Sequence, residues 1–158
     1  MYHVRDARGE ELDKLARISE RVLKEAPTYT GMRFDLDKTA NMIAGAILKQ
    51  KGWFLRVIAR DGDNEPVGGL ICVCVDSTFG PDKIAYDITI MLDQEHRGKC
   101  LKQLIQIVEE YKAWAIAEGA KVVKMGVSSG LSIDGASMFF ERLGFARIGA
   151  MHGFVVGE

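Results

Sequence analysis

The sequence predicts a single α/β domain in which helices flank a mixed, mostly antiparallel central sheet. Apolar residues recur every three or four positions in two early segments, change to a period of two, and then return to the helical spacing. Polar turns in the middle of the chain join strand-like runs, which is typical of antiparallel hairpins. In the second half a strand, a long helix and another strand follow one another, and this order requires a right-handed crossover.

The first half of the chain is predicted to form a strand, two helices and three strands. Pro27 ends the first helix, because proline cannot continue a helical hydrogen-bond pattern. Asp35 or Asp37 can cap the second helix through a side-chain oxygen. The predicted elements are a strand over 2–7, helices over 9–26 and 35–50, and strands over 52–60, 66–77 and 83–92.

The second half is predicted to form a helix, a strand, a helix and two final strands. The first of these helices has the strongest periodicity of the chain, and Gly119 stops it. Repeats, linkers and low-complexity segments are missing from the sequence, so we expect one domain over 1–158. The predicted elements are a helix over 101–118, a strand over 121–127, a helix over 134–144, and strands over 145–149 and 151–156.

Composition narrows the class of protein. A chain of 158 residues with 47% apolar and 27% charged residues can build one ordinary core. It holds no apolar run of the roughly 18 residues that a membrane span needs, and its start lacks the apolar stretch of a signal peptide. We therefore expect a cytoplasmic protein without a membrane partner. Nucleic-acid binding needs a concentrated basic surface, so with a net charge of −1 we do not expect this chain to bind nucleic acids.

The cysteines and histidines do not suggest a metal site or a disulfide framework. An odd number of cysteines without a C-x-x-C motif favours neither a zinc site nor paired cystines. Two of the cysteines lie two apart in an apolar strand and are predicted to be buried on one face. The histidines have no ligand-like spacing. The cysteines are Cys72, Cys74 and Cys100, and the histidines are His3, His96 and His152.

The stretch "DQEHRGKCLKQL" opens the long helix and has the chemistry of a phosphate site. The first turn of a helix carries unpaired N–H groups and a partial positive charge, both of which suit an anion. Gly98 lets a ligand approach the backbone, while Arg97, Lys99 and Lys102 add charge. The alternative is a solvated surface turn that leads into a helix.

Four stretches together resemble the GNAT family of acyl-CoA-dependent N-acyltransferases, and the likeness in element order covers nearly the whole chain. The layout is also similar to that of short acetyltransferase-like proteins encoded by phages. The stretches are "VRDARGEELDKLARI", "IMLDQEHRGKCLKQLI", "YKAWAIAEGAKVVKMGV" and "FFERLGF".

The chain departs from the family pattern at specific positions. The family loop usually reads Arg/Gln-x-x-Gly-x-Gly/Ala; when it is aligned on Arg97, Cys100 and Lys102 occupy the two small-residue positions. Phe140 stands where many members have the tyrosine proposed to protonate the leaving thiolate. Ile133 replaces a frequent asparagine.

The resemblance implies acetyl-CoA as the cofactor. It further implies a gap between the strands "ITIML" and "KVVKMGV", in which free backbone groups would pair with the pantetheine amides. The implied cofactor-binding residues are Ile90, Met91, Leu92, Arg97, Gly98, Lys99, Cys100, Leu101, Lys102, Ser128 and Ser137.

Acyl transfer to an amine needs a group that removes a proton, and Asp87 is our candidate for the base. Its carboxylate interrupts an apolar strand. A period of two places Asp87, Thr89 and Met91 on one face, with Tyr86 and Ile88 on the other. The alternative is a strand-end carboxylate in a salt link.

Further catalytic roles are assigned to groups near the two strand ends. The N–H of Met91 or Leu92 is a candidate donor to the developing oxyanion. Tyr86 is a candidate acid or substrate contact, and otherwise a core residue. Ser128 and Ser129 are candidates for holding the pantetheine arm or the thiolate, and otherwise ordinary turn residues.

The segment 26–38 is the candidate acceptor site, because it is unusually bulky for a loop. Tyr29, Arg33 and Phe34 are the predicted substrate contacts. The alternative is a loop that its aromatic residues anchor to the core.

The sequence leaves two functions open. The first is an N-acetyltransferase acting on a small-molecule amine, a protein amine or an amino-modified nucleobase. The second is a catalytically weak or inactive GNAT-like module that binds coenzyme A or a protein partner. A homodimer is compatible with either function.

Overall fold

The structure, a computed structural model that describes residues 1–152, contains a five-stranded sheet with helices on both faces. The strands lie in the order β1-β2-β3-β4-β5; the first four are antiparallel, and β5 is parallel to β4. The elements are β1 Tyr2–Arg5, α1 Leu12–Glu25, α2 Leu36–Ile47, β2 Trp53–Arg60, β3 Pro66–Asp76, β4 Lys83–Leu92, α3 Leu101–Ala117, β5 Ala120–Lys124 and α4 Ile133–Arg142.

The helix boundaries that were predicted from a capping residue or a glycine are confirmed. One turn of 3₁₀ helix, Gly9–Glu11, leads into α1. Asp35 caps α2, since its carboxylate accepts the Lys38 N–H at 2.9 Å. Gly119 has a φ of +87° just after α3, a backbone conformation that favours glycine.

The two faces of the sheet carry separate cores. Helices α1 and α2 cover one face, and α3 covers the other. Each fully buried aliphatic side chain stabilises the fold by about 1.5–3 kcal/mol. The α1–α2 face is built on Leu15, Ile18, Ile43, Val57, Ile71 and Met91, and the α3 face on Ile58, Leu70, Cys72, Ile107, Val108 and Tyr111.

A pair of glycines allows β2, β3 and β4 to approach closely. A Cβ on Gly68 would lie 2.4 Å from the Met91 carbonyl oxygen and 2.9 Å from the Leu92 Cα. A Cβ on Gly69 would lie 2.5 Å from the Arg56 carbonyl oxygen on the other side. These contacts are shorter than real side chains allow. Glycine at position 68 therefore lets β3 lie close to the end of β4, and glycine at position 69 lets β3 lie close to β2.

A β-bulge at Ile88 changes which face the residues of β4 occupy. Ile71 of β3 pairs with Thr89, but Cys72 pairs with Asp87, so Ile88 is left without a partner on β3. Asp87 therefore lies on the α3 face with Cys72, while Thr89 lies on the α1–α2 face with Ile71. The prediction that Asp87, Thr89 and Met91 share a face is wrong, because the extra residue interrupts the period of two.

The two final strands of the prediction are not seen in the described residues. Residues 145–152 form no strand, and 153–156 lie outside the described residues. Instead of joining the sheet, Phe145 donates its N–H to the Phe140 carbonyl at 3.1 Å, and its ring lies 5.7 Å from the Lys112 ammonium. The chain leaves α4 through a turn at Gly144, whose φ is +86°.

The three cysteines are buried and unpaired with one another. Cys72 and Cys74 lie on the same face of β3, as predicted. Burial raises the pKa of each thiol, because a thiolate loses its hydration there.

Within residues 1–152, no helix has both the length and the apolar character needed to cross a membrane. Over the same range, no three His, Cys, Asp or Glu side chains are placed to hold a metal ion.

Candidate active site

The parallel strands β4 and β5 separate partway along their length. They pair from Lys83 with Ala120 up to Tyr86 with Lys124, and the register goes no further. A cavity of about 480 Å³ lies beyond the last pair, between the two strands, α3 and α4. The walls are mostly apolar and include Leu70, Ile90, Leu101, Leu104, Val108, Phe139 and Phe140. The strand gap that the resemblance implied is therefore present.

Asp87 bridges the gap at the point where the strands part. Its Oδ1 accepts the backbone N–H of Gly126 at 2.9 Å, and both residues line the cavity. Burial raises the pKa of the Asp87 carboxyl to about 6, because desolvation disfavours its charged form; the Gly126 N–H offsets part of this effect. Such a carboxylate is ionised at neutral pH and still takes up a proton readily.

The end of β4 presents backbone groups toward the gap. The Asp93 N–H donates to the Val67 carbonyl at 3.0 Å, which makes these opposed residues a hydrogen-bonded pair. Pairs alternate along antiparallel strands, so Met91 bonds to Gly69 on β3, whereas Ile90 and Leu92 direct their N–H and C=O groups away from β3. Leu92, and not Met91, can thus donate to an oxyanion in the gap.

The loop before α3 has the free donors that an anion site needs. Gly98 has a φ of +78°, and an ideal Cβ on it would meet no atom within 4 Å. In the described part of the chain, the N–H groups of Gly98, Cys100, Leu101 and Lys102 have no hydrogen-bond acceptor. The positive φ favours glycine at position 98, and the absence of a side chain leaves the space beside these N–H groups open to a ligand.

The cationic side chains of this loop differ in whether they already have a partner within the protein. Lys99 and Lys102 are exposed, and neither has an ion-pair partner among residues 1–152. Arg97 is already engaged, since its Nη1 lies 2.6 Å from Glu25 Oε2 and its Nε donates to the Leu92 carbonyl at 3.1 Å. The Cys100 side chain is fully buried, so only its backbone can face a ligand.

The segment after α1 meets the loop after β5 at the cavity wall. The Tyr29 hydroxyl and the Ser128 hydroxyl lie 2.8 Å apart in a hydrogen bond, which we call the Tyr29–Ser128 bridge. Beside it, the Thr28 N–H donates to the Ser129 carbonyl at 3.3 Å. Tyr29, Ser128 and Ser129 all line the cavity. The bridge thus connects a predicted acceptor residue, Tyr29, with a predicted cofactor-binding residue, Ser128.

Other predicted site residues lie elsewhere. Arg33 and Phe34 line a separate shallow depression over 33–37. Tyr86 is 38% exposed and pairs with Val73, and it does not line the cavity. Ser137 is half-buried on α4, also outside the cavity lining.

Two features that shape the site were not predicted from the sequence. Gly126 holds Asp87, and no local pattern marks a backbone N–H as a carboxylate partner. The Gly68–Gly69 pair did carry a signal, because consecutive glycines inside an apolar strand indicate close backbone approach.

The sequence matches no protein-family model and no curated protein. Solved structures do resemble the fold over almost the whole chain. They include a glucosamine-6-phosphate N-acetyltransferase from Arabidopsis thaliana, 12% identical, TM-score 0.69, covering 99% of each chain. An aminoglycoside acetyltransferase from an uncultured soil metagenomic sample is 17% identical, TM-score 0.67, covering 100% of this chain and 99% of that one. A transcriptional regulator from Bacillus halodurans C-125 is 18% identical, TM-score 0.68, covering 98% and 100%.

These likenesses define the class of fold: the chain has the fold of the GNAT acetyltransferases, as the sequence resemblance implied. With identities between 12 and 18%, the likeness extends to the fold and not to the activity. The three proteins named come from a plant, a soil sample and a bacterium, and they lend no support to a phage origin.

Proposed function

We propose that the chain is an N-acyltransferase that moves an acetyl group from acetyl-CoA to an amine acceptor by direct attack on the thioester. The observation that carries this proposal is the position of Asp87. A carboxylate with a pKa of about 6 lies in the gap between β4 and β5, inside a cavity that the first turn of α3 also borders. The proposed proton acceptor and the proposed anion site therefore border the same cavity.

The residues present fit coenzyme A. The free N–H groups at the start of α3, together with Lys99 and Lys102, suit a diphosphate. The outward-facing N–H and C=O groups of Ile90 suit the amides of a pantetheine arm, which can pair with them as a strand would. The Leu92 carbonyl already accepts the Arg97 Nε–H, so Leu92 offers only its N–H. When bound, acetyl-CoA supplies the acetyl group in an activated, thioester-linked form.

The residues of this chain do the remaining work. Asp87 takes the proton that the attacking nitrogen releases, and the Gly126 N–H keeps the carboxylate in place. The Leu92 N–H is available to an oxygen on which negative charge develops. Phe140 lines the cavity and offers no proton. An ordinary thiol has a pKa of about 8.5, so a thiolate can leave near pH 8 without a dedicated acid.

A module that binds coenzyme A without turnover is the second candidate. Phe140 favours it, because the hydroxyl proposed as the acid in many family members is missing at this position. One of the similar solved structures is also a transcriptional regulator, which indicates that the fold serves other purposes.

Two measurements separate these functions. A thermal-shift titration with coenzyme A and acetyl-CoA should show stabilisation of about 2.7 kcal/mol at one hundred times the dissociation constant. No shift at millimolar ligand would remove both functions. If the ligand binds, thiol release over a panel of amines identifies an enzyme, whereas binding without release in any member identifies a module.

A further inference from the structure

Of the two charged side chains that line the cavity, only the negative one lacks an ion-pair partner among residues 1–152. Asp87 and Arg97 are the charged residues among those that line it. Arg97 is bound to Glu25 and to the Leu92 carbonyl, so its charge is compensated. If Arg97 turned toward a diphosphate instead, its charge would be compensated by the phosphates. Glu25 would then lose its ion-pair partner and leave an uncompensated negative charge nearby. Among residues 1–152, no cationic side chain other than Arg97 lines the cavity.

Two helix ends, the last turn of α1 and the first turn of α4, border the cavity. Helix α1 ends at Glu25, and Val22 from its last turns lines the cavity. The C-terminal end of a helix carries a partial negative charge, which favours cations and disfavours anions. Helix α4 begins beside the cavity, with Ser132 in the lining. The start of a helix carries a partial positive charge, which Asp134 in the first turn of α4 offsets.

The rest of the acceptor side is apolar or carries hydroxyl groups. Ile88 and Leu131 contribute apolar surface, and the Tyr29–Ser128 bridge contributes two hydroxyls. Such a surface can bury a hydrocarbon arm and hydrogen-bond a neutral polar group, but it offers no cationic side chain to pair with a buried carboxylate or phosphate. A single carboxylate at Asp87 can hold an ammonium and later take its proton.

We propose that the acceptor is a cationic primary amine on an apolar arm, with no anionic group close to the reacting nitrogen. Amines without a carboxylate therefore bind, and the matching amino acids and amino-sugar phosphates are rejected. This inference rests on the proposed function, and it names the substrate class of the same cavity.

Matched pairs of ligands that differ in one carboxylate test the inference. The probes are phenethylamine against phenylalanine, tyramine against tyrosine, and histamine against histidine, each titrated into the full chain by calorimetry at pH 8, with and without saturating coenzyme A. In at least one pair we expect the amine to bind about tenfold or more tightly than its amino acid, because the carboxylate would face Asp87 unpaired. Equal affinities within every pair, or no binding of any amine, would overturn the inference.

Two variants test whether the preference for the amine depends on the lack of a free cation in the cavity. Ile88→Arg places a cation in the cavity at a side chain that is 40% exposed, and it should reduce the preference for the amine about tenfold. Val122→Arg is the matched control, since Val122 is 43% exposed on the neighbouring strand and lies outside the cavity lining. An unchanged preference in Ile88→Arg counts against the inference. Should that variant not fold, Asp87→Asn decides, and unchanged amine affinity there would overturn the inference.

The calorimetric readout keeps the two proposals apart. Amine binding without thiol release would remove the enzyme and leave the binding preference standing. Thiol release with equal use of both members of each pair would retain the enzyme and remove the preference.

Discussion

The carboxylate of Asp87 accepts the backbone N–H of Gly126 at 2.9 Å, and this bond connects β4 to the chain just past β5, where the two strands have ceased to pair. One residue therefore holds the edges of the gap together and supplies the only carboxylate among the cavity-lining residues of the described chain. Its raised pKa follows from the same position, because the site is largely shielded from water.

Asp87→Asn should slow acetyl transfer about 10²–10⁴-fold, because the amide cannot accept the proton of the amine. In the unmodified protein, kcat/KM should rise with pH through about 6, the pKa of this carboxyl. The variant should lack that rise. A pH profile of thiol release with one accepted amine measures both effects, and an unchanged profile would exclude Asp87 as the base.

The same variant should be more stable at neutral pH. The folded pKa of about 6 lies above the ordinary 3.8, so the folded state binds more protons between these values. The contribution of Asp87 to stability is then greatest below about pH 4, falls as pH rises through about 6, and stays reduced above it. Asn carries no charge and can still accept the Gly126 N–H. Urea unfolding at pH 8 should show a gain of about 1–3 kcal/mol that shrinks by pH 4.

Lys102→Glu should weaken coenzyme A binding about tenfold, because it puts a negative charge beside a diphosphate. The same change should raise the free energy of unfolding by about 0.3–1 kcal/mol, since an acidic side chain suits the start of α3. Thermal unfolding with and without coenzyme A measures both. Lys121→Glu on β5, equally exposed, is the control and should leave coenzyme A affinity unchanged.

Gly98→Asn should reduce coenzyme A affinity by filling the open space next to the free N–H groups. Asparagine tolerates a positive φ better than most residues, so the loss of stability should be modest. Gly119→Asn is the matched control, because Gly119 also has a positive φ and open surroundings but lies at the far end of α3. If both variants bind coenzyme A equally well, the anion site lies elsewhere.

Gly68→Ala should destabilise the fold by about 1–3 kcal/mol, because its Cβ would press on the backbone of Met91 and Leu92. The displaced end of β4 should also lower coenzyme A affinity. Gly80→Ala, in the β3–β4 turn, meets no atom within 4 Å and should change stability by less than about 0.5 kcal/mol. Equal urea midpoints for the two variants would contradict the close strand packing.

Removing the Tyr29–Ser128 bridge should change acceptor use more than coenzyme A binding, since the bridge joins the predicted acceptor segment to the loop after β5. A double-mutant cycle of Tyr29→Phe and Ser128→Ala should give a coupling of about 0.5–1.5 kcal/mol in urea unfolding. Thr30→Ala, which removes a hydroxyl bond within the same segment, should show no coupling to Ser128. A coupling near zero would mean that the bridge does not persist in solution.

The elements that the sequence predicted correctly are those whose signal is local. Helix α3 has an apolar stripe and a terminal glycine, and α2 has the Asp35 cap. The gap between β4 and β5 came from the resemblance and was also found.

Features that depend on distant contacts were not predictable in the same way. The bulge at Ile88 depends on how β3 and β4 align, so the face of Asp87 was assigned together with that of Thr89, and wrongly. Arg97 looked free in the sequence, but its partner Glu25 comes from the end of α1. Residues 145–149 have strand-like composition, yet Phe145 bonds to the end of α4.

The burial of Cys72, Cys74 and Cys100 has a practical consequence for the chemistry proposed here. Chromogenic disulfides react with accessible thiolates, and all three cysteines of the folded chain are shielded and held protonated. Colour formed with native protein therefore reports released coenzyme A with little background. After denaturant is added, three further equivalents of thiol per chain should react. The size of this increase measures how much of the protein was folded at the start.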